Sequence, residues 1–178
     1  MKLQSLREFS AVEWHMIGHV QSRKAQLVAE NFNLLHSLDS LKLATRLDRF
    51  CSEAKRVLPV LLEFNVGEED SKSGWSAWND EIWPALLVEI SSVLALPNLK
   101  VRGLMAMPPL GETAEFSRVF FKRLKRLQEY LSLQLPQANF TELSMGTSGD
   151  YEVAVQEGAT LVRVGTAIVG ARQYKTEA

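Results

Sequence analysis

The feature that most constrains this chain is an alternation of six short apolar runs with longer stretches of helical spacing. The runs are Val12–Ile17, Phe32–His36, Val60–Val66, Leu99–Met105, Phe140–Leu143 and Leu161–Val164. Their lengths, their β-branched and aromatic content and their flanking Gly, Asn, Asp or Pro predict strands. Most are continuously apolar, which suits strands covered on both faces, as in a parallel sheet. From Ser40 onward, Ala44, Leu47, Cys51, Ala54 and Leu58 recur at steps of three and four, with Asp39 or Ser40 as the N-cap. From Thr113, Phe116, Phe120, Leu124, Leu127 and Leu131 do the same. Strand–helix alternation implies right-handed crossovers and helices packed on a parallel sheet. An open doubly wound sheet and a (β/α) barrel both satisfy that order. A closed barrel usually takes about 250 residues, so six units in 178 residues favour the open sheet on length alone.

Composition narrows the function classes. Lys+Arg number 20 against 21 Asp+Glu, a formal charge of −1, which removes the electrostatic footprint of a nucleic-acid binder. The basic face of the second helix (Arg118, Lys122, Arg123, Lys125, Arg126) therefore reads as solvated surface, not as a binding patch. No apolar run approaches the roughly 20 residues of a membrane-spanning helix. The start, Met1-Lys2-Leu3-Gln4-Ser5-Leu6-Arg7-Glu8, has no signal-peptide core. A lone Cys51 cannot form an internal disulfide and fits a reducing compartment. These readings predict one domain over residues 1–178 and a cytoplasmic location.

In parallel α/β folds the working groups lie where strands end and helices begin. After the fifth run comes Ser144-Met145-Gly146-Thr147-Ser148-Gly149-Asp150, leading into a helix that Gly158 ends. After the sixth comes Arg163-Val164-Gly165-Thr166-Ala167-Ile168-Val169-Gly170. Both junctions offer free backbone N–H groups at a helix start, a recipe for holding phosphate, with Ser148 and Thr166 as added hydroxyl donors. Ordinary caps and turns would look the same, and only the repetition at consecutive junctions strengthens the phosphate reading.

Other candidates are weaker. Gly67-Glu68-Glu69-Asp70-Ser71-Lys72-Ser73 lacks the P-loop's second glycine and sets carboxylates where phosphates would lie. His15 and His19 have the spacing of helical metal ligands, but Gly18 and strand-like flanks break that geometry, so no metal is expected. His36 with Asp39 could be an oriented base, or a satisfied histidine beside a helix cap. Cys51 falls on an apolar stripe, and Trp75, Trp78 and Trp83 read as packing residues.

The segment Glu13-Trp14-His15-Met16-Ile17-Gly18-His19-Val20-Gln21-Ser22-Arg23-Lys24 resembles the EWHFIGxLQxNK segment of the pyridoxal-phosphate homeostasis proteins. So do His36-Ser37-Leu38-Asp39-Ser40, Phe64-Asn65-Val66, Ser71-Lys72-Ser73-Gly74, Arg102-Gly103-Leu104-Met105-Ala106-Met107-Pro108, Leu143-Ser144-Met145-Gly146 and, most closely, the closing 162–172. The resemblance runs from about residue 11 to 174. It implies an alanine-racemase-type (β/α)8 barrel, here incomplete, with about six of eight β/α units and the first two strands absent. That displaces the open sheet preferred on length.

The resemblance implies pyridoxal 5′-phosphate as cofactor and a non-catalytic, cofactor-buffering role. Ser148, Gly165 and Thr166 would hold the phosphate and Arg163 would face the pyridine nitrogen. His15 and Met105, within matched segments, complete the cofactor-binding set. A cation beside the ring nitrogen lowers its pKa and makes the ring a poorer electron sink, which suits a carrier and a side-reaction-averse racemase alike. The family's VSKT-like stretch with the cofactor lysine, and its GENY-like segment, do not occur in this sequence. Lys24 and Lys72 match other family positions. Thr147 and Gly149 stand where the family more often has Met and Asp. The expectation is weak or non-covalent cofactor binding, with two unpaired sheet edges that favour self-association or association with a missing N-terminal segment.

Overall fold

The computed structural model describes residues 12–69, 71–109 and 111–170. In chain order its elements are β1 (His15–Met16), α1 (Ala25–Asn31), β2 (Leu34–Leu38), α2 (Leu41–Glu53), β3 (Leu58–Asn65), β4 (Trp75–Ser76), α3 (Trp83–Leu94), β5 (Leu99–Met105), α4 (Arg118–Gln134), β6 (Glu142–Thr147), α5 (Tyr151–Gln156), β7 (Leu161–Arg163) and α6 (Thr166–Val169). The sheet runs β1-β2-β3-β5-β6-β7, with β4 paired to the end of β3, and every pairing is parallel.

The sheet curls. β2 and β6 lie three strand spacings apart, roughly 14 Å in a flat sheet. Yet His36 on β2 and Ser144 on β6 meet at 2.8 Å, farther than the two side chains could reach across a flat surface. Strong curvature of an all-parallel sheet is barrel geometry. The structure thus has an incomplete parallel barrel, as the resemblance implies, not the open sheet that length favoured.

Two cores follow from the curl. The larger lies between the sheet's convex face and the helices. It takes in Leu35, Leu38, Leu47, Cys51, Val60, Leu62, Ile90, Leu104, Phe121, Leu124 and Leu131, among others. A small one (Leu34, Leu61 and Met105, with Leu161 packed on it) fills the floor of the concave face. Successive strand residues point to opposite faces, so the residues two positions beyond this floor, His36, Glu63 and Arg163, share the concave side.

Ser40 caps α2, its hydroxyl accepting from the Leu43 N–H at 3.3 Å. The helical stripe expected to run on through Leu58 stops sooner. Ala54 ends the helix, Lys55 turns left-handed at φ 52°, and the Lys55 and Arg56 N–H groups bond back to Ser52 and Cys51. That closure is a Schellman turn, and Leu58 instead opens β3. On α4 the buried stripe is Phe121, Leu124, Leu127, Gln128 and Leu131, with Phe116 exposed. A 3-10 turn at Ala114–Ser117, with three residues per turn, shifts the phase. The basic face of α4 is tied up locally: Arg118 pairs with Glu115 and Glu157, Arg126 with Asp80, and Arg123 donates to the Val66 carbonyl. Trp75 and Trp83 are buried, Trp75 in the unforeseen β4.

Candidate cofactor site

The fifth apolar run continues as strand beyond its expected end, so Ser144, Met145, Gly146 and Thr147 belong to β6, not to a loop. Gly146, at φ 89°, makes this possible. A Cβ there would lie 2.5 Å from that of Ala154, so only glycine lets α5 pack against the strand it follows. The turn after Thr147 is fixed by Asp150, whose carboxylate accepts from the Thr147 N–H at 2.6 Å and hydroxyl at 3.0 Å. This aims the carboxylate back at the strand and leaves Ser148 and Gly149 at the rim.

The loop ending β7 comes to meet it. The N–H groups of Gly165 and Ala167 donate to the Ser148 hydroxyl oxygen at 3.1 and 3.3 Å. A Cβ on Gly149 or Gly165 would meet nothing within 4 Å, so backbone borders open space at both loops. Thr166 opens α6 and is exposed. The structure therefore brings Ser148, Gly165 and Thr166 together. Their convergent amides and hydroxyls form a donor set suited to a phosphate.

Arg163 reaches from β7 across the concave face. Its guanidinium donates to the Ser144 hydroxyl at 2.7 Å and to the Ala106 carbonyl at 3.0 Å. Burial pulls its pKa below the usual arginine value, offset by the nearby Asp150 and Glu63 charges, and guanidinium stays cationic. Because arginine only donates, the Ser144 oxygen accepts from it and its proton goes to His36 Nδ1, 2.8 Å away. Burial first, then the neighbouring His15 and Arg163, push the His36 pKa down to about 4. Neutral His36 then carries its proton on Nε2, directed at His15 Nδ1, 3.1 Å away. A single line of donors thus runs Arg163, Ser144, His36, His15. Met105, fully buried, sits on the floor beneath it.

His15, Met105, Ser148, Arg163, Gly165 and Thr166 thus divide into a concave-face group (His15, Met105, Arg163) and a rim group (Ser148, Gly165, Thr166). The His36–Asp39 pairing weighed from sequence does not form: Asp39 contacts His19 at 3.0 Å. His15 and His19, four apart, turn to different partners, and among the described residues no group of three or more His, Cys, Asp or Glu could hold a metal ion. Sequence reasoning passed over Glu63, placed Ser144 in a loop and weighed His36 only with Asp39. At His36 and Glu63 the signal was a polar residue two positions beyond an apolar one (Leu34, Leu61), hidden by reading those runs as continuously apolar.

Comparison with known proteins identifies the family and agrees with the fold. The family described as "Alanine racemase, N-terminal domain" matches residues 3–173. A pyridoxal phosphate homeostasis protein of Synechocystis is 37% identical over 171 residues, 96% of this chain and 75% of that protein. One from Haemophilus influenzae is 42% identical over 167 residues, 93% of this chain and 67% of that protein. The chain therefore spans about two-thirds to three-quarters of these relatives' length. PipY of Synechococcus elongatus, solved with pyridoxal phosphate bound, superposes with a TM-score of 0.83 at 36% identity, covering 95% of this chain and 76% of PipY. Clostridium difficile alanine racemase, at 15% identity and TM-score 0.67 over 99% of this chain and 42% of the enzyme, shares the fold. With its parallel half-barrel and convergent rim loops, the chain belongs to the pyridoxal phosphate homeostasis family within the alanine-racemase N-terminal fold.

Proposed function

We propose that this chain binds pyridoxal 5′-phosphate without turning over a substrate and serves cofactor homeostasis. The observation that carries the reading is the meeting of two strand-end loops at Ser148, where the Gly165 and Ala167 amides already converge on one oxygen. A phosphate oxygen would take the place of the serine as acceptor, with the Ser148 and Thr166 hydroxyls turning to donate. Arg163, braced by Ser144 and Ala106, holds a fixed positive charge for the pyridine nitrogen. Pyridoxal phosphate supplies electron-sink chemistry when bound, and a cation at the ring nitrogen restrains it. Racemisation needs bases on both faces of a substrate carbon. Here the concave-face histidines are committed to one another, and the family's lysine-bearing stretch does not occur among the 178 residues.

Without a covalent link, the dissociation constant is expected near micromolar or weaker, about −8 kcal/mol. Titration of pyridoxal phosphate into the purified chain, by calorimetry and absorbance, tests this. The expected result is saturable binding, weakened at least tenfold by Ser148→Ala with Thr166→Ala, and no lysine adduct after borohydride. Unchanged affinity in the double variant would show the rim to be idle, and a borohydride-stable adduct would overturn the non-covalent reading.

A further inference from the structure

We propose that Glu63 is a further ligand-contacting residue of this site, its carboxyl hydrogen-bonding the phenolic oxygen of the bound cofactor, on the side away from the phosphate rim. The inference rests on the cofactor reading above and deepens it.

Strand register places the residue. Glu63 on β3 pairs with Met105 on β5, Met105 with Ser144 on β6, and Ser144 with Leu161 on β7. In-register residues of parallel strands point to the same face, so Glu63 shares one row of the concave surface with Met105 and Ser144. Its residue is 9% exposed, and its Oε2 is out of solvent with no hydrogen-bond partner. A buried carboxyl oxygen with no partner is costly, so such an atom in a native fold calls for an occupant. The side toward β4 is crowded. Gly74 stands so close that a Cβ there would lie 2.6 Å from the Glu63 carbonyl oxygen and 3.1 Å from its Cγ. The concave face that Glu63 shares with Met105 and Ser144 is the one Arg163 crosses, so an occupant of that groove would meet the carboxyl.

Burial and four charged groups bear on how Glu63 titrates. Burial raises its pKa most and the Asp39 carboxylate adds to the rise, while His19, Arg163 and Lys72 oppose it, leaving the value at about 7. The residue is thus a hydrogen-bond donor below neutrality and an acceptor only above it. The ring of a pyridoxal phosphate presents acceptors, its phenolic oxygen and its nitrogen, and Arg163 already serves the nitrogen.

The test is titration of the full chain with pyridoxal phosphate between about pH 6 and 8.5 for wild type, Glu63→Gln and Glu63→Ala. Thermal melts of each protein are recorded in the same buffers. Wild-type affinity should fall several-fold across neutrality. Glu63→Gln, which keeps a donor of the same shape, should lack that fall; the phosphate and the histidines titrate equally in both proteins, so the difference between the two profiles belongs to Glu63. Glu63→Ala should bind about tenfold more weakly at pH 6.5 and shift the cofactor's absorbance band. A wild-type pH slope in Glu63→Gln, or wild-type affinity in a folded Glu63→Ala, would overturn the assignment while leaving the cofactor reading intact. Absence of binding by wild type at every pH would overturn both.

Discussion

At the scale of single residues, the concave face holds two ionisable groups displaced in opposite directions, and each marks folding stability with its own pH signature. His36 is held at about 4, below its ordinary value near 6.5. Between those values the unfolded chain binds the proton and the folded one does not, so stability is intact above about pH 6.5 and is lost as pH falls toward 4. Glu63 is held at about 7, above the usual carboxylate range. There the folded chain keeps a proton that the unfolded chain releases, so stability falls as pH rises from about 4.5 to 7 and stays lower above that. From about pH 4.5 to 6.5 the two slopes oppose, and wild type should show a flatter melting profile than either group alone would produce. Glu63→Gln removes the loss on the alkaline side and should stabilise the protein by roughly 1–3 kcal/mol at pH 8, read as a higher melting temperature there and not at pH 4.5. A wild-type alkaline profile in Glu63→Gln would mean that the carboxyl is ionised in the fold.

At the scale of elements, two backbone positions carry more than their side chains suggest. Gly103 sits where β5 slips register against β3, Val60 pairing with Val101 and Leu61 with Gly103. A Cβ at Gly103 would fall 1.8 Å from the Glu142 carbonyl oxygen, inside any contact distance, so β5 and β6 approach as closely as they do because no side chain separates them. Gly103→Ala should cost roughly 3 kcal/mol or more and move the midpoint of urea unfolding accordingly. Lys55 is the converse case, a non-glycine at φ 52° closing α2. Lys55→Gly should gain about 0.5–1 kcal/mol, and a loss would mean that the lysine stem contributes packing that outweighs its strain. The strands and the α2 cap were legible in the sequence because Ser40 and the apolar runs act locally. The end of α2 and the phase of α4 were not. A left-handed lysine and a 3-10 first turn leave no mark in apolar spacing, so the stripes drawn through Leu58 and Phe116 overran. The rim was legible at Ser148, Gly165 and Thr166, where glycines and hydroxyls follow strands. The donor line through Ser144 and His36 was hidden, since a contact between residues 108 positions apart exists only once the sheet curls.

For the whole molecule, curvature and edges follow from the same sheet. The donor line from Arg163 to His15 ties β7, β6, β2 and β1 across the concave face, so the strands at the two ends of the sheet are bridged by side chains although each has a single hydrogen-bonded neighbour among the described residues. Unpaired N–H and C=O groups at such edges are templates for another strand. The β7 edge has little to deter pairing. It is three residues long, its outward Val162 is 39% exposed, and Ile168 and Val169 beside it are more so. The 178-residue chain is therefore expected to associate in a concentration-dependent way, seen by sedimentation velocity, through edge pairing rather than through the charge-paired outer face of α4. A lysine placed on the edge blocks strand addition in natural sheets, so Val162→Lys should shift the equilibrium toward monomer while the melting temperature stays within a few degrees. A wild-type chain that stays monomeric and melts cooperatively at every concentration would show that the bridged, curled sheet satisfies its own edges.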